Sequence, residues 1–320
     1  MRASEHVTPT TLAAIVLALA CGREPGPVGP AMLSESDPPS LSSSQFGEWS
    51  TPVNLGPVVN SPLTDNSPEL SKDGLSLYFG SVNRPGGFGS TDLYVSQRAC
   101  TDMNDERCAW GTPVNLGPMI NTSSIDGGPH LSRDGHWLYL ISDRPGGFGS
   151  NDIWVSWRDD IHDDFAWEAA VNLGAPINTA ELEAGPNLRG PEFYFHRGPA
   201  VGNTDIYVSR MHGNTFDEPT LVPEVSSPGF FDQRPSTRWD GHEMILSSDR
   251  PGGLGLQDIY VSTRQSNGVP WTTPVNLGAP INTQFQEQTP TITDDGTILL
   301  FSSNRTGNFD LYMAARIRKD

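Results

Sequence analysis

Five acidic residues recur in this 320-residue chain in one repeated context, each three residues before a proline: Asp65/Pro68, Asp126/Pro129, Glu183/Pro186, Asp232/Pro235 and Glu287/Pro290. Carboxylates held close together raise one another's pKa or capture a cation. Ligation by oxygen alone suits Ca²⁺ or Mg²⁺ rather than zinc. The opposing reading is that each carboxylate caps the N–H groups of its own turn and points away from the others. A second acidic series (Asp92, Asp152, Asp205, Asp258, Asp310) and an arginine series (Arg84, Arg144, Arg197, Arg250, Arg305) share the repeat. They are either five equivalent ligand sites, or loop-capping carboxylates and arginines that each pair with a nearby acid. A group required equally in every copy is usually one that builds the copy, so the second reading is the expectation.

Signals for catalysis are weak. No G-x-S-x-G, H-E-x-x-H or P-loop string occurs. The seven histidines are scattered; His130 and His136 are the nearest pair, without a third ligand. Trp137, Trp154, Trp157 and Phe230–Phe231 break the repeat. They either pack the core or line a sugar- or peptide-binding surface. The acid-rich stretch Asp159 to Asp164 reads as a solvated loop, with local Ca²⁺ binding as the alternative, although its spacing does not match an EF-hand.

The elements that must position these groups are repeats. The stretch SDRPGGFGSNDIWVS, Ser142 to Ser156, has five versions, and their aspartates lie 60, 53, 53 and 52 residues apart. Each unit opens on an aromatic: Trp49, Trp110, Trp167, Phe216 and Trp271. A polar loop leads to the acid and a short strand (ELSKDG, HLSRDG, NLRGPE, STRWDG, TITDDG). The Asp-Gly pairs suit a tight hairpin. A second strand, the SDRPGG turn and a third strand follow. Four short strands per unit of this length predict propeller blades, which stack to bury faces that none could bury alone. Five aromatic-led strands and five sets of the other three give five blades. The first strand, at Trp49, has no blade of its own and completes the last one, closing the ring and removing two edges. The expected fold is therefore an all-β, five-bladed β-propeller of four-stranded antiparallel blades spanning 48–320.

Composition narrows the function. Net charge is -18 at pH 7, which repels phosphate backbones and argues against nucleic-acid binding. Glycine (33) and proline (28) recur at fixed places, as tight turns do. Thr11 to Ala20 is an apolar run of ten, long enough for a signal segment and too short to span a bilayer. Ala18-Leu19-Ala20-Cys21 looks like a bacterial lipobox, with Ala18 where leucine is usual, and implies lipidation at Cys21 after a signal peptide at 1–21. Gly22 does not resemble an inner-membrane retention signal, so an outer-membrane anchor is expected, with simple secretion as the alternative. Residues 22–47, rich in Pro, Ser and Gly, read as a flexible tether. Cys100 and Cys108 lie within the one long repeat and are expected to pair across an inserted loop.

The pattern SxDRPGGxGxxDIYVS with PxxSxDG upstream resembles the WD40-like propeller repeats of the TolB type, found in bacterial envelope proteins. The resemblance covers Trp49 to Arg316. Copy three departs, with His196-Arg197-Gly198-Pro199 and no Asp-Gly turn, and copy five has Thr306 for the proline. Such proteins are often fused to a peptidoglycan-binding domain; with four residues following Arg316, none is expected here. The implied function is an exported, lipid-anchored binding or scaffold module of the cell envelope. Its partner would be a protein or glycan, it would meet the membrane only through its anchor, and it would require no cofactor; Ca²⁺ is the ion an axial site would take. The alternative is a glycoside hydrolase using axial carboxylates, against which the near-equivalence of the five acids argues.

Overall fold

The computed structural model describes residues 45–102, 105–199 and 203–319. The signal segment, Cys21 and most of the tether lie outside the described residues. The remainder forms five antiparallel sheets arranged as a closed ring.

Blade one comprises Asp65–Leu70, Ser76–Val82, Thr91–Gln97 and Val114–Asn115. Blade two comprises Asp126–Leu131, Trp137–Ser142, Asp152–Trp157 and Val171–Asn172. Blade four comprises Asp232–Thr237, Glu243–Ser248, Asp258–Thr263 and Val275–Asn276. Blade five takes Glu287–Ile292, Ile298–Ser303 and Asp310–Ala315 from the end of the chain and Val53–Asn54 from its beginning. Val53 pairs with Met313 and Asn54 with Tyr312, so the ring closes as the strand count requires. Blade three departs. Its third strand, Asp205–His212, outruns the others and turns back through Thr215–Phe216, so a further short strand, Thr220–Leu221, fills the outer position.

The boundary expected at 48 falls slightly late. Phe46 bridges to Arg318 and is buried at 3% exposure. Its ring lies 4.0 Å from the Arg316 guanidinium, which holds it against the domain.

Packing explains the repeat. Successive residues of a strand point to opposite faces, and each blade is covered on both. Tyr78 joins Leu138, Leu140 and Trp154 in the core shared by blades one and two. Its neighbours Leu77 and Phe79 join Leu300 and Met313 in the core shared with blade five. The middle strands are therefore apolar without alternation. Trp137 and Trp154, which break the repeat, are buried core residues; Trp157 is half-buried and packs beside Trp137.

Four blades share a lock on the Asp-Gly hairpin. Nε of Arg98, Arg158, Arg264 and Arg316 donates to the carbonyl of Gly74, Gly135, Gly241 and Gly296 at 2.7, 2.8, 2.5 and 2.7 Å. Each guanidinium also covers the tryptophan that leads to an outer strand, at 4.3 Å for Arg98–Trp110 and 4.4 Å for Arg264–Trp271. Blade three has Met211 for the arginine, Phe216 for the tryptophan and no Asp-Gly turn. The three are absent together because the guanidinium needs both the carbonyl and the ring.

Loops of blades one and two are tied down. Cys100 and Cys108 form a disulfide with a Cα–Cα distance of 4.7 Å. The acid-rich stretch of blade two is not wholly solvated: Asp164 is buried against blade one. It accepts hydrogen bonds from Ser76 Oγ, from Tyr78 Oη at 2.5 Å, from Gln97 Nε2 at 2.8 Å and from Arg158 Nη1 at 2.8 Å.

Candidate functional site

The five acids each begin or nearly begin an inner strand, and all five are fully buried. Each is held locally. Asp126 accepts from Thr122 N at 2.5 Å, Ser142 Oγ at 2.6 Å and Arg144 Nη2 at 2.6 Å. The same arrangement joins Asp65 to Arg84, Glu183 to Arg197, Asp232 to Arg250 and Glu287 to Arg305. Each arginine also donates to the carbonyl of a preceding loop, such as Ile120 at 2.6 Å, and lies over the aromatic of its third strand, Arg144 over Trp154 at 5.0 Å. The two polar series of the sequence are thus halves of one unit repeated five times.

Among the described residues, only Cys100, Asp105 and Cys108 place three potential metal-ligating atoms within 4.8 Å of one another. Those cysteines are already joined to each other. Asp65, Asp126, Glu183, Asp232 and Glu287, expected to share an axial cation, form no such cluster among the described residues. The arginines, which lie 14 to 19 residues further on, turn the carboxylates toward themselves. Three aspartates of the third strands, Asp92, Asp152 and Asp258, cap their loops: Asp92 accepts from Phe88 N at 2.8 Å, Asp152 from Phe148 N at 2.5 Å and Asp258 from Leu254 N. Burial pushes the carboxyl of Asp92 above its ordinary value, against the pull of the Phe88 and Gly89 N–H groups, and the charge of Asp126 adds to the rise.

Two further layers of the inner strands meet around the axis. Four residues after each acid stand Glu69, His130, Asn187, Ser236 and Thr291. The first four accept from the next blade: Leu131 N to Glu69 Oε1 at 3.3 Å, Leu188 N to His130 Nε2 at 2.9 Å, Thr237 N to Asn187 Oδ1 at 3.1 Å, and Ile292 N to Ser236 Oγ at 3.0 Å. At the seam between blades five and one the direction reverses, and Thr291 Oγ1 donates to Pro68 O at 2.7 Å. His130 Nδ1 lies 3.0 Å from Glu69 Oε1, so its two nitrogens are used on different blades. Polarity at the first letter of ELS, HLS, NLR, STR and TIT was the available signal, hidden because five residue types share one role.

Two residues after each acid the strand bulges, and the residue there has positive φ: Ser67 (56°), Gly128 (59°), Gly185 (63°), Arg234 (54°) and Thr289 (51°). Contacts between these residues cross the axis. Arg234 of blade four donates to Ser67 Oγ of blade one, a blade it does not adjoin.

The far end of the inner strands holds a cavity of about 480 Å³. Leu70, Leu131, Arg189, Trp239 and Ile292, one from each blade, contribute to its wall, as do Glu69 and Asp294. It lies some five residues along each strand from the acids, about 17 Å. The short hairpin of blade three leaves space there, which its neighbours cross. Arg133 of blade two covers the Trp239 ring of blade four at 3.9 Å and approaches Asp294 of blade five at 3.7 Å. Arg189 Nη2 lies 3.6 Å from the same carboxylate.

No protein-family model matches the sequence, and no curated protein matches it. Solved structures share its fold. One described as a glycoside hydrolase aligns with a TM-score of 0.60 at 10% identity, covering 87% of this chain and 94% of that one. The catalytic domain of a GH62 α-L-arabinofuranosidase from Coprinopsis cinerea gives 0.53 at 12% identity, covering 85% and 98%. A protein described as TolB from Agrobacterium tumefaciens gives 0.48 at 14% identity, covering 79% and 76%. For the first two, the likeness at these identities is one of fold.

Proposed function

We propose that this protein is a binding module of the bacterial cell envelope, with repeats of the TolB type, whose axial cavity at the hairpin end takes a glycan or a similar small polar ligand. One observation carries the reading: a cavity of about 480 Å³ to which all five blades contribute, with Trp239, Leu131 and Ile292 as apolar wall and Arg189 and Asp294 as polar groups. Concave sites with an apolar lining and few polar groups are the usual places for small ligands. Export and lipidation at Cys21 would place the cavity in the envelope, and Cys21→Ser should move the protein from the membrane to the soluble fraction. Calorimetry against a panel of envelope glycans tests the binding. Leu131→Trp, which fills the cavity, should abolish it, and binding that survives this substitution would sink the reading.

A glycoside hydrolase is the second reading, favoured by its fold neighbours and by the presence of four carboxylates, Glu69, Asp73, Asp294 and Asp295, on one cavity. The five acids are unsuited to it because each is spent on an arginine. Turnover of an α-L-arabinofuranoside that is lost in both Glu69→Gln and Asp294→Asn would establish it over the first.

A further inference from the structure

Arg234 stands apart from the repeat. Its counterparts at the bulge are Ser67, Gly128, Gly185 and Thr289, all small. At φ 54° its backbone is in a region where a β-carbon is strained. Two glycines make room for its side chain. A β-carbon on Gly128 would lie 2.9 Å from both terminal guanidinium nitrogens, and one on Gly185 would lie 3.0 Å from its Cδ.

The guanidinium is poorly partnered for its position. Arg84, Arg144, Arg197, Arg250 and Arg305 each hold a buried carboxylate. Arg234 donates to the hydroxyl of Ser67, and among the described residues no carboxylate lies within 4.0 Å of it. The carboxylate whose charge reaches it, Glu69, is occupied by His130 at 3.0 Å. Desolvation lowers its pKa to about 10, offset only in part by the charge of Glu69, although part of the residue stays exposed. Nothing in blade four needs this charge, since Ser, Gly and Thr serve the same bulge elsewhere. The bulge is common to every blade; what is particular to this position is a guanidinium held there without a carboxylate, and a charge so placed suits a ligand of opposite sign.

We propose that Arg234 anchors an anion site on the propeller axis, open toward the end where the five acids stand, and that the group it binds is a carboxylate. Arg234 and Thr289 keep part of their surface exposed, whereas four of the five residues of the next layer, Glu69, His130, Asn187 and Ser236, are buried. A single planar guanidinium matches a carboxylate in two-pronged contact. With one cation at the site and a net charge of -18 around it, a monoanion is favoured over a phosphate dianion. This site lies two residues along the inner strands from the layer of Glu69 and Thr291, which also walls the cavity assigned above, and it uses a side chain that does not line that cavity.

Calorimetry of the full chain with glucuronate, N-acetylalanine, glucose and inorganic phosphate tests the proposal. Glucuronate or N-acetylalanine should bind, glucose should not, and Arg234→Met should weaken binding by at least about tenfold. Binding of glucuronate alone assigns a sugar acid, and of N-acetylalanine alone a peptide terminus. Failure of both carboxylates, preference for phosphate, or binding unchanged in Arg234→Met would overturn the proposal. A second readout separates a structural role. Ligand-free Arg234→Met should melt at or above the temperature of the parent; a lower melting temperature would show that the guanidinium serves the fold.

Discussion

Arg144 Nη2 lies 2.6 Å from Asp126 Oδ1, and the same guanidinium covers Trp154 at 5.0 Å. The carboxylate is fully buried, so either partner left alone is a buried, uncompensated charge. Arg144→Met should therefore cost about 3–5 kcal/mol in urea unfolding. Asp126→Asn added to it should cost much less than the sum of the two single changes. Additive losses would show that the two side chains act independently.

Asp164 makes the same kind of test between blades. Burial opposes its ionisation, yet hydrogen bonds from Ser76, Tyr78, Arg158 and Gln97 hold its carboxyl below the ordinary value. Asp164→Ala strands Arg158 beneath blade one and should lower stability by about 3–5 kcal/mol. Exchange of the Ser76–Val82 amides should quicken with it, because that strand supplies two of the donors.

His196 gives the protein a pH dependence of known sign. Burial, with the charge of Arg234, lowers its pKa to about 3. The unfolded chain takes up the proton near pH 6.5, before the folded protein does. The stability this residue contributes is full above that pH and is lost progressively as pH falls toward 3. The slope is at most about 1.4 kcal/mol per pH unit. His196→Gln should flatten the unfolding free energy between about pH 6 and pH 4.5, above the main carboxylate transitions. An unchanged slope would mean that His196 titrates normally in the folded state.

Gly149 marks where the Gly-rich loop of blade two meets blade three. A β-carbon there would sit 1.8 Å from Glu181 O, and the equivalent position at Gly255 would place one 1.7 Å from Phe285 O. Both loops therefore press on the turn that precedes the next acid. Gly149→Ala should destabilise the protein by roughly 1–3 kcal/mol, as overpacking does. Gly174→Ala is a control for steric space, with nothing within 4 Å of its β-carbon position, and should show only the smaller penalty of its own positive φ.

Reduction of Cys100–Cys108 opens a short loop on blade one. The melting temperature should fall by an amount equivalent to about 2–3 kcal/mol or less, and Cys100→Ser should reproduce the loss.

The ring was legible because the repeat is covalent information. Intervals, aromatic-led strands and Asp-Gly turns count blades without reference to any contact. The direction of a side chain is different. Asp65, Asp126, Glu183, Asp232 and Glu287 recur in register whether they face the axis or their arginines, and periodicity is blind to that choice. Bulges two residues later rotate the strand, and no residue type announces them: Ser67, Gly128, Arg234 and Thr289 hold one conformation. The axial hydrogen-bond ring was hidden for the opposite reason, since Glu69, His130, Asn187 and Ser236 look like variation and do the same work. Arg234 reads as one more substitution until the contacts across the axis are known.

Blade five joins the two ends of the described chain. Phe46 is tied to Arg318, and the strand Val53–Asn54 closes the ring through two residue pairs. A pull delivered through the residues before Gln45 falls first on this clasp, which peels pair by pair while the three strands Glu287–Ile292, Ile298–Ser303 and Asp310–Ala315 remain zipped. Under such a load the pairing of Val53–Asn54 with the last strand would part first, unfastening the ring while the other four blades keep all their strands.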